Sequence, residues 1–367
     1  MYIGEQRDWP RFAWDNGSLL EPLAAARLKQ GRLLGSMARL GFDLKLEAQL
    51  ETLSEDVIKS SEIEGVVLDR DSVRSSLARR LVLPVAATAP ADRLTEGVVE
   101  MMLDATENYG TLLTDGRLFG WQAALFPTGY AGMHRIMAGA WRDDAQGPMQ
   151  VVSGPIGRQP VHCQAPPAQQ LDAEMQAFLE WFNRRSVPEG LLRAGLAHLW
   201  FVTIHPFEDG NGRVARAIAD QALARSEGSR QRFYSMSSQI RKERSGYYDA
   251  LESAQKGTLD VTCWLVWFLD CFSRAIDGAD SACADVLRKA DFWQRYARGS
   301  FTKRQKAVLN RFLDRFEGKL TARKWAAIGT CSIPTAQRDI NELVERGILR
   351  RNPGSSKNTS YDLMMTA

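Results

Sequence analysis

The sequence is poor in the residues that build disulfide and metal frameworks. Its five cysteines (Cys163, Cys263, Cys271, Cys283, Cys331) are odd in number and form no CxxC pair. That excludes a disulfide scaffold and points to reduced thiols. Only four histidines occur, none at ligand spacing from a cysteine or another histidine, so no zinc centre is expected. No apolar run approaches the ~20 residues of a membrane-spanning helix. The first eight residues, Met1 to Asp8, hold no signal-type apolar core. The expectation is a cytoplasmic protein with no membrane passage. Net charge is also scarce, at +3 over 367 residues, but it is unevenly placed. Between Phe301 and Asn352 there are 12 Lys/Arg against 5 Asp/Glu, which leaves 35 against 39 elsewhere. The basic excess therefore lies wholly near the C-terminus, where it bears on partners.

What the sequence does hold is one dense run, His205-Pro206-Phe207-Glu208-Asp209-Gly210-Asn211-Gly212-Arg213-Val214-Ala215-Arg216. Leu191 to Ile204 reads as a buried helix, which Pro206 ends at about His205. Gly210, Asn211 and Gly212 tolerate positive φ, so the turn can aim successive N–H groups at one anion. A second helix, Arg213 to Ser226, adds its free N-terminal N–H groups and dipole at the same point. Arg213 and Arg216 share a face and can clamp neighbouring phosphates. Asp209 can hold Mg²⁺ while substrate phosphates supply further ligands, and His205 is the base suited to neutral pH. The plain alternative is a helix–loop–helix with surface arginines. Yet the run matches HxFx(D/E)GNGRxxR, which arises by chance about once in ten billion starting positions at average residue usage.

On that run the chain resembles the Fic family, whose members typically transfer AMP from ATP to a hydroxyl of a protein side chain. The resemblance spans roughly residues 90–280. It implies a mainly α fold, with a Fic-type helical core, a β-hairpin flap and an N-terminal helical extension. His205 would be the catalytic base and Asp209 the metal ligand. Gly210, Asn211, Gly212, Arg213 and Arg216 would hold phosphates, and Phe207 would fix the loop. Tyr247 and Gln255, in a segment resembling YYxxLExA, would face adenine and ribose. Ser60-Ser61-Glu62-Ile63-Glu64-Gly65 resembles the family's inhibitory motif (S/T)xxxE(G/N). Its carboxylate, Glu64, would pair with Arg216 at the γ-phosphate position and misalign ATP. Strand-like pieces at 149–152 and 160–163 around the turn-rich Ser153–Gln159 read as a hairpin. By resemblance this is the flap, holding the target by strand addition near Val161 and His162. His198 reads as a core histidine, and His134 as structural.

Helical patterns are expected over Ser18–Gly41, Leu46–Ile63, Asp69–Leu81, Arg93–Asn108, Leu118–Leu125, Leu171–Asn183, Glu243–Gln255 and Thr262–Ile276. Gly65 is a plausible helix C-cap, and Val82–Asp92 a connector. Trp9-Pro10-Arg11-Phe12-Ala13-Trp14 is expected to pack back onto the core. Beyond Phe301, a helix to Phe316 precedes a helix–turn–helix whose second helix has Ser332 as N-cap and Pro334 in its first turn. A strand follows, then a hairpin between Gly354 and Asp362. This tail resembles a winged helix-turn-helix, which would offer Thr335, Gln337 and Arg338 to a major groove.

These readings divide the chain at 1–90, 91–285 and 286–367. They describe a protein adenylyltransferase that uses ATP and Mg²⁺, inhibited by Glu64 and acting on a Ser, Thr or Tyr hydroxyl of another protein or of itself. A homodimer and DNA contact through residues 299–367 are further expectations. The alternatives are a nucleotide-sensing DNA-binding regulator and an enzyme that removes AMP, with Glu64 positioning water.

Overall fold

A computed structural model describes residues 2–38, 40–81, 90–145, 147–152, 161–184, 190–296, 299–313, 318–353 and 359–364. The loop Ser153–Gln159, most of the connector Val82–Asp92 and residues 354–358 of the expected C-terminal hairpin lie outside them. The fold is mainly α and packs as two units, 1–39 with 46–279 and 40–45 with 280–367. Among the described residues no helix is long and apolar enough to cross a membrane.

The first unit opens with α1 (Asn16–Ala38), α2 (Phe42–Ile63, whose first turn belongs to the second unit) and α3 (Arg70–Arg80). Gly65 takes φ +79°, and Val66 N–H bonds back to Ser61 O, so α2 ends at the expected left-handed cap. Asp69 starts α3 by accepting the Ser72 N–H at 2.8 Å. The core follows with α4 (Arg93–Glu107) and α5 (Asp115–Leu125). Helix α5 starts three residues before the expected Leu118, because the Thr114 hydroxyl caps the Arg117 N–H. A short hairpin, β1 (Tyr130–Ala131) with β2 (His134–Arg135), leads to the antiparallel pair β3 (Gln150–Val152) and β4 (Val161–Gln164).

Then come α6 (Leu171–Asn183), α7 (Gly190–Ile204), α8 (Asn211–Glu227), α9 (Met236–Lys242), α10 (Arg244–Gln255) and α11 (Thr262–Arg295). Helix α11 runs well beyond the expected Ile276 and passes through Gly278 without stopping. Helices α7 and α8 form the most extensive helix pair. Every residue of α7 from Leu191 to Ile204 is buried. Such an all-round apolar helix is the centre of a core rather than a surface element. The N-terminal aromatic anchor does pack back. Trp9 and Phe12 meet Trp200 edge-on at 6.3 and 5.7 Å, and Trp9 Nε1 donates to Glu174.

A buried polar cluster ties α2 to α8 behind the functional run. Asp220 on α8 receives Arg232 Nη2 at 2.9 Å, and its carboxyl is pushed well above its ordinary range by burial and by Asp56 beside it. Asp56 on α2 in turn accepts from the Ser235 hydroxyl and from Ser237 N–H.

In the second unit, α12 (Lys303–Leu313), α13 (Ala322–Ile328) and α14 (Ile333–Glu345) enclose Trp325, Leu309, Ile340 and Leu343. Ser332 caps α14 as expected. Strands β5 (Leu349–Arg351) and β6 (Tyr361–Leu363) pair antiparallel. Asp339 accepts both arms of Arg304 and the Trp325 indole N–H, which fixes α14 against its neighbours.

Candidate active site

The segment between α7 and α8 is rigid by construction. Helix α7 stops at Ile204, and His205 takes φ +51°. Phe207 is fully buried, 5.0 Å from the Trp141 ring and close to Phe119 and Phe201. The Asn211 side chain binds Phe207 on both sides, accepting its N–H at 3.0 Å and donating to its C=O at 2.8 Å. Of the three turn residues only Gly210 uses positive φ, at +90°. Asn211 and Gly212 instead open α8, two residues before the expected start at Arg213, because Asn211 staples the turn. A Cβ at Gly210 would also meet Phe126 Cε2 at 3.0 Å.

Helix α8 has no side chain capping its N-terminus, so its first N–H groups and its dipole remain directed at a ligand. Arg213 and Arg216 are both buried. The Arg213 guanidinium lies over the Phe126 ring, 4.0 Å from Asp209 Oδ1, and its Nε has no hydrogen-bond partner among the described residues. Burial pushes its pKa down. A buried cation with an idle donor is costly without a matching anion.

For Arg216 the protein itself supplies the anion. Its Nε donates to Ser60 Oγ at 2.9 Å, and its Nη2 donates to Ser60 O and Glu64 Oε1, each at 2.8 Å. Ser60 and Glu64 are one turn apart at the end of α2. A Cβ on Gly212 would stand 2.2 Å from Glu64 Oε1. The carboxylate therefore occupies space that exists only because residue 212 lacks a side chain.

His205 Nδ1 lies 3.2 Å from Val202 O. As the donor in that contact, Nδ1 carries the proton and leaves Nε2 as the acceptor. Burial pushes the His205 pKa down to about 4; Arg142 acts in the same direction, while the Val202 carbonyl and Glu64 oppose it. The imidazole is neutral and available as a base at pH 7. The Asp209 side chain is 49% exposed, and its Oδ1 accepts the Gly210 N–H. Among the described residues no three Asp, Glu, His or Cys side chains form a metal cage. Asp209 is the half-exposed carboxylate that the turn could offer to a cation.

Tyr247 and Gln255 lie on α10 and are buried. The Tyr247 hydroxyl is 2.8 Å from His198 Nε2, and Gln255 Nε2 donates to Thr203 Oγ1 at 3.2 Å. His198 stacks on Trp264, and burial pushes its pKa down to about 3, the state of a core histidine. Val161 pairs with Val152, while His162 Nδ1 meets Glu252 at 2.6 Å and ties β4 to α10. His134 is exposed in β2. Sequence reasoning missed Arg142 and Gln122. Arg142 donates to His205 O, and Gln122 donates to Asp209 O. Neither carries a local motif.

Residues 113–223 match the model of the Fic/DOC family, and residues 2–83 match a domain of unknown function, DUF4172. The protein adenylyltransferases Fic of Drosophila melanogaster and Drosophila simulans are each 33% identical over 105 residues. That alignment covers 28% of this chain and 20% of each relative, so the chain spans about a fifth of their length. A Fic family protein from Desulfovibrio desulfuricans G20 shares the fold at a TM-score of 0.59 and 20% identity, over 98% of this chain and 99% of that one. A signalling protein with a Fic domain from Bacteroides thetaiotaomicron matches at 0.53 and 19% identity, over 71% and 97%. The segment matched to the Fic/DOC family, 113–223, holds the whole of His205–Arg216.

Proposed function

We propose that the protein transfers AMP from ATP to a Ser, Thr or Tyr hydroxyl of a protein and that Glu64 holds this activity back. The Fic/DOC match over residues 113–223 supports nucleotidyl transfer, and the target class and the inhibition are further claims. The observation that carries the inhibition is the Glu64–Arg216 pair lying against Gly212 at the uncapped start of α8. With the carboxylate moved aside, the β- and γ-phosphates would take its place against the α8 N–H groups, Arg213 and Arg216. Asp209 would hold Mg²⁺ together with those phosphates, and the ion would offset charge on the departing pyrophosphate. His205 Nε2 takes the hydroxyl proton as the oxygen bonds to the α-phosphorus and the bond to the bridging oxygen breaks. Tyr247 and Gln255, nearby on α10, belong to the nucleoside side of this reading.

Incubating lysate with ATP that carries a tagged adenine tests it. Labelling of protein should be weak with the native chain, strong with Glu64→Gly and absent with Glu64→Gly/His205→Ala. Equal labelling by all three forms overturns the reading. Loss of a pre-existing AMP group from protein on adding the native chain would favour removal over transfer.

A second activity is proposed for the tail, supported by its helix–turn–helix order and by exposed Arg323, Arg338, Arg350 and Arg351. These residues suit a phosphate backbone. A salt-dependent shift of a DNA probe that disappears on deleting residues 299–367 is the expected result.

A further inference from the structure

His205 and Thr330 are the non-glycine residues with positive φ among those described. A side chain in that region carries a conformational cost and persists only where its surroundings impose it. At His205 the imposing group is Arg142, 63 residues away in sequence. Its backbone N–H donates to Pro206 O at 2.9 Å, and its Nε donates to His205 O at 2.8 Å. Its other arms donate to Asp144 Oδ1 at 2.7 Å and to Pro166 O at 2.6 Å. Asp144 is held in turn by the Ala168 N–H. Arg142 is 3% exposed, so this bracket is part of the interior.

The neighbouring residues extend the same contact. Trp141 packs on Phe207, and Met137 N–H donates to Glu208 Oε2 at 2.8 Å. Gly139 N–H donates to Gln122 Oε1, while Gln122 Nε2 reaches Asp209 O. Residues 137–142 thus run beside residues 205–209 and brace their backbone.

We infer that Arg142 is a positioning residue for the transfer step, clamping the His205 carbonyl so that imidazole Nε2 faces the incoming hydroxyl. The inference rests on the proposed transferase reading. The clamp acts with the Nδ1–Val202 contact: one fixes the main chain and the other fixes the ring. Arg142 also places a positive charge near the ring that disfavours imidazolium, while Glu64 acts in the opposite sense.

The experiment uses the full chain carrying Glu64→Gly, with Arg142→Lys and Arg142→Gln added separately. Lysine keeps the charge but loses the forked geometry; glutamine keeps a donor but loses the charge. Both should lower kcat for AMP transfer about 100-fold, the scale set by small misplacements of a reacting group, with KM for ATP unchanged. Imidazole titration by NMR should show the His205 pKa rising with glutamine and staying in place with lysine. The inference is overturned if kcat is unaffected, if KM changes in step with kcat, or if both variants leave the His205 pKa as it was. Absence of transfer in Glu64→Gly with Arg142 intact counts against the transferase reading. In that event the titration alone still decides whether Arg142 governs His205.

Discussion

Arg216 Nη2 donates a 2.8 Å hydrogen bond to Glu64 Oε1, and the same oxygen lies 2.2 Å from where a Gly212 Cβ would stand. A helix N-terminus with its arginines attracts an anion, and here the chain delivers one of its own. On the proposed reading, Glu64 and nucleotide phosphate compete for a single place.

Replacing Glu64 by glycine removes that competitor. A charge-assisted bond contributes about 1.5–3 kcal/mol, so AMP transfer should rise roughly 10- to 100-fold. Initial rates at fixed ATP check this, and an unchanged rate would detach Glu64 from control.

Ser60→Ala acts through the same arginine. It leaves the buried Arg216 Nε without its hydroxyl acceptor, at a cost of about 1–3 kcal/mol. Glu64 keeps its own bond, so activation should be smaller than with Glu64→Gly and should come with a lower Tm. Activation equal to that of Glu64→Gly would mean that Ser60, not the carboxylate, sets the block.

The pH dependence follows from His205. A base with its pKa near 4 is already neutral at pH 6, so kcat/KM of the Glu64→Gly form should be flat between pH 6 and 8. An imidazole titrating near 6.5 would instead give a rise of about four-fold over that range.

The same burial predicts acid sensitivity. His198 and His205 have folded-state pKa values near 3 and 4, well below an unfolded histidine. As pH falls below about 6.5 the unfolded chain takes up protons that the folded chain refuses, so stability drops from there towards pH 4. Thermal melts should show this as a fall of several degrees. The fall should be smaller in His205→Ala, and an equal fall in both forms would trace it to other groups.

The functional run was legible because its chemistry is local. The pattern from His205 to Arg216 names its own residues, and single residues mark its neighbours' ends, as Gly65 does for α2 and Ser332 for α14. Among bonds across long sequence separations, the Glu64–Arg216 pair was expected only through the resemblance, and the bonds of Arg142 and Asp56 had no signal at all. Arg142 reaches His205 from 63 residues away, and Asp56 lies beside Asp220 more than 160 residues on. No periodicity announces such meetings. The start of α8 at Asn211 was missed for a related reason: turn-forming residues were read as backbone freedom, whereas Asn211 uses its amide to bind Phe207.

Asp56, Ser60 and Glu64 stand at four-residue steps along α2 and the turn that follows it, and the first of them is moored to Ser235 and Ser237. The helix is a rod pinned at its middle, with the plug at its tip. On the proposed reading, release starts at the last turn, by a swing of the Glu64 side chain or by unwinding before Gly65 with loss of the Arg244 bond to Ile63 O, and an activator has most leverage if it grips the chain just past that glycine.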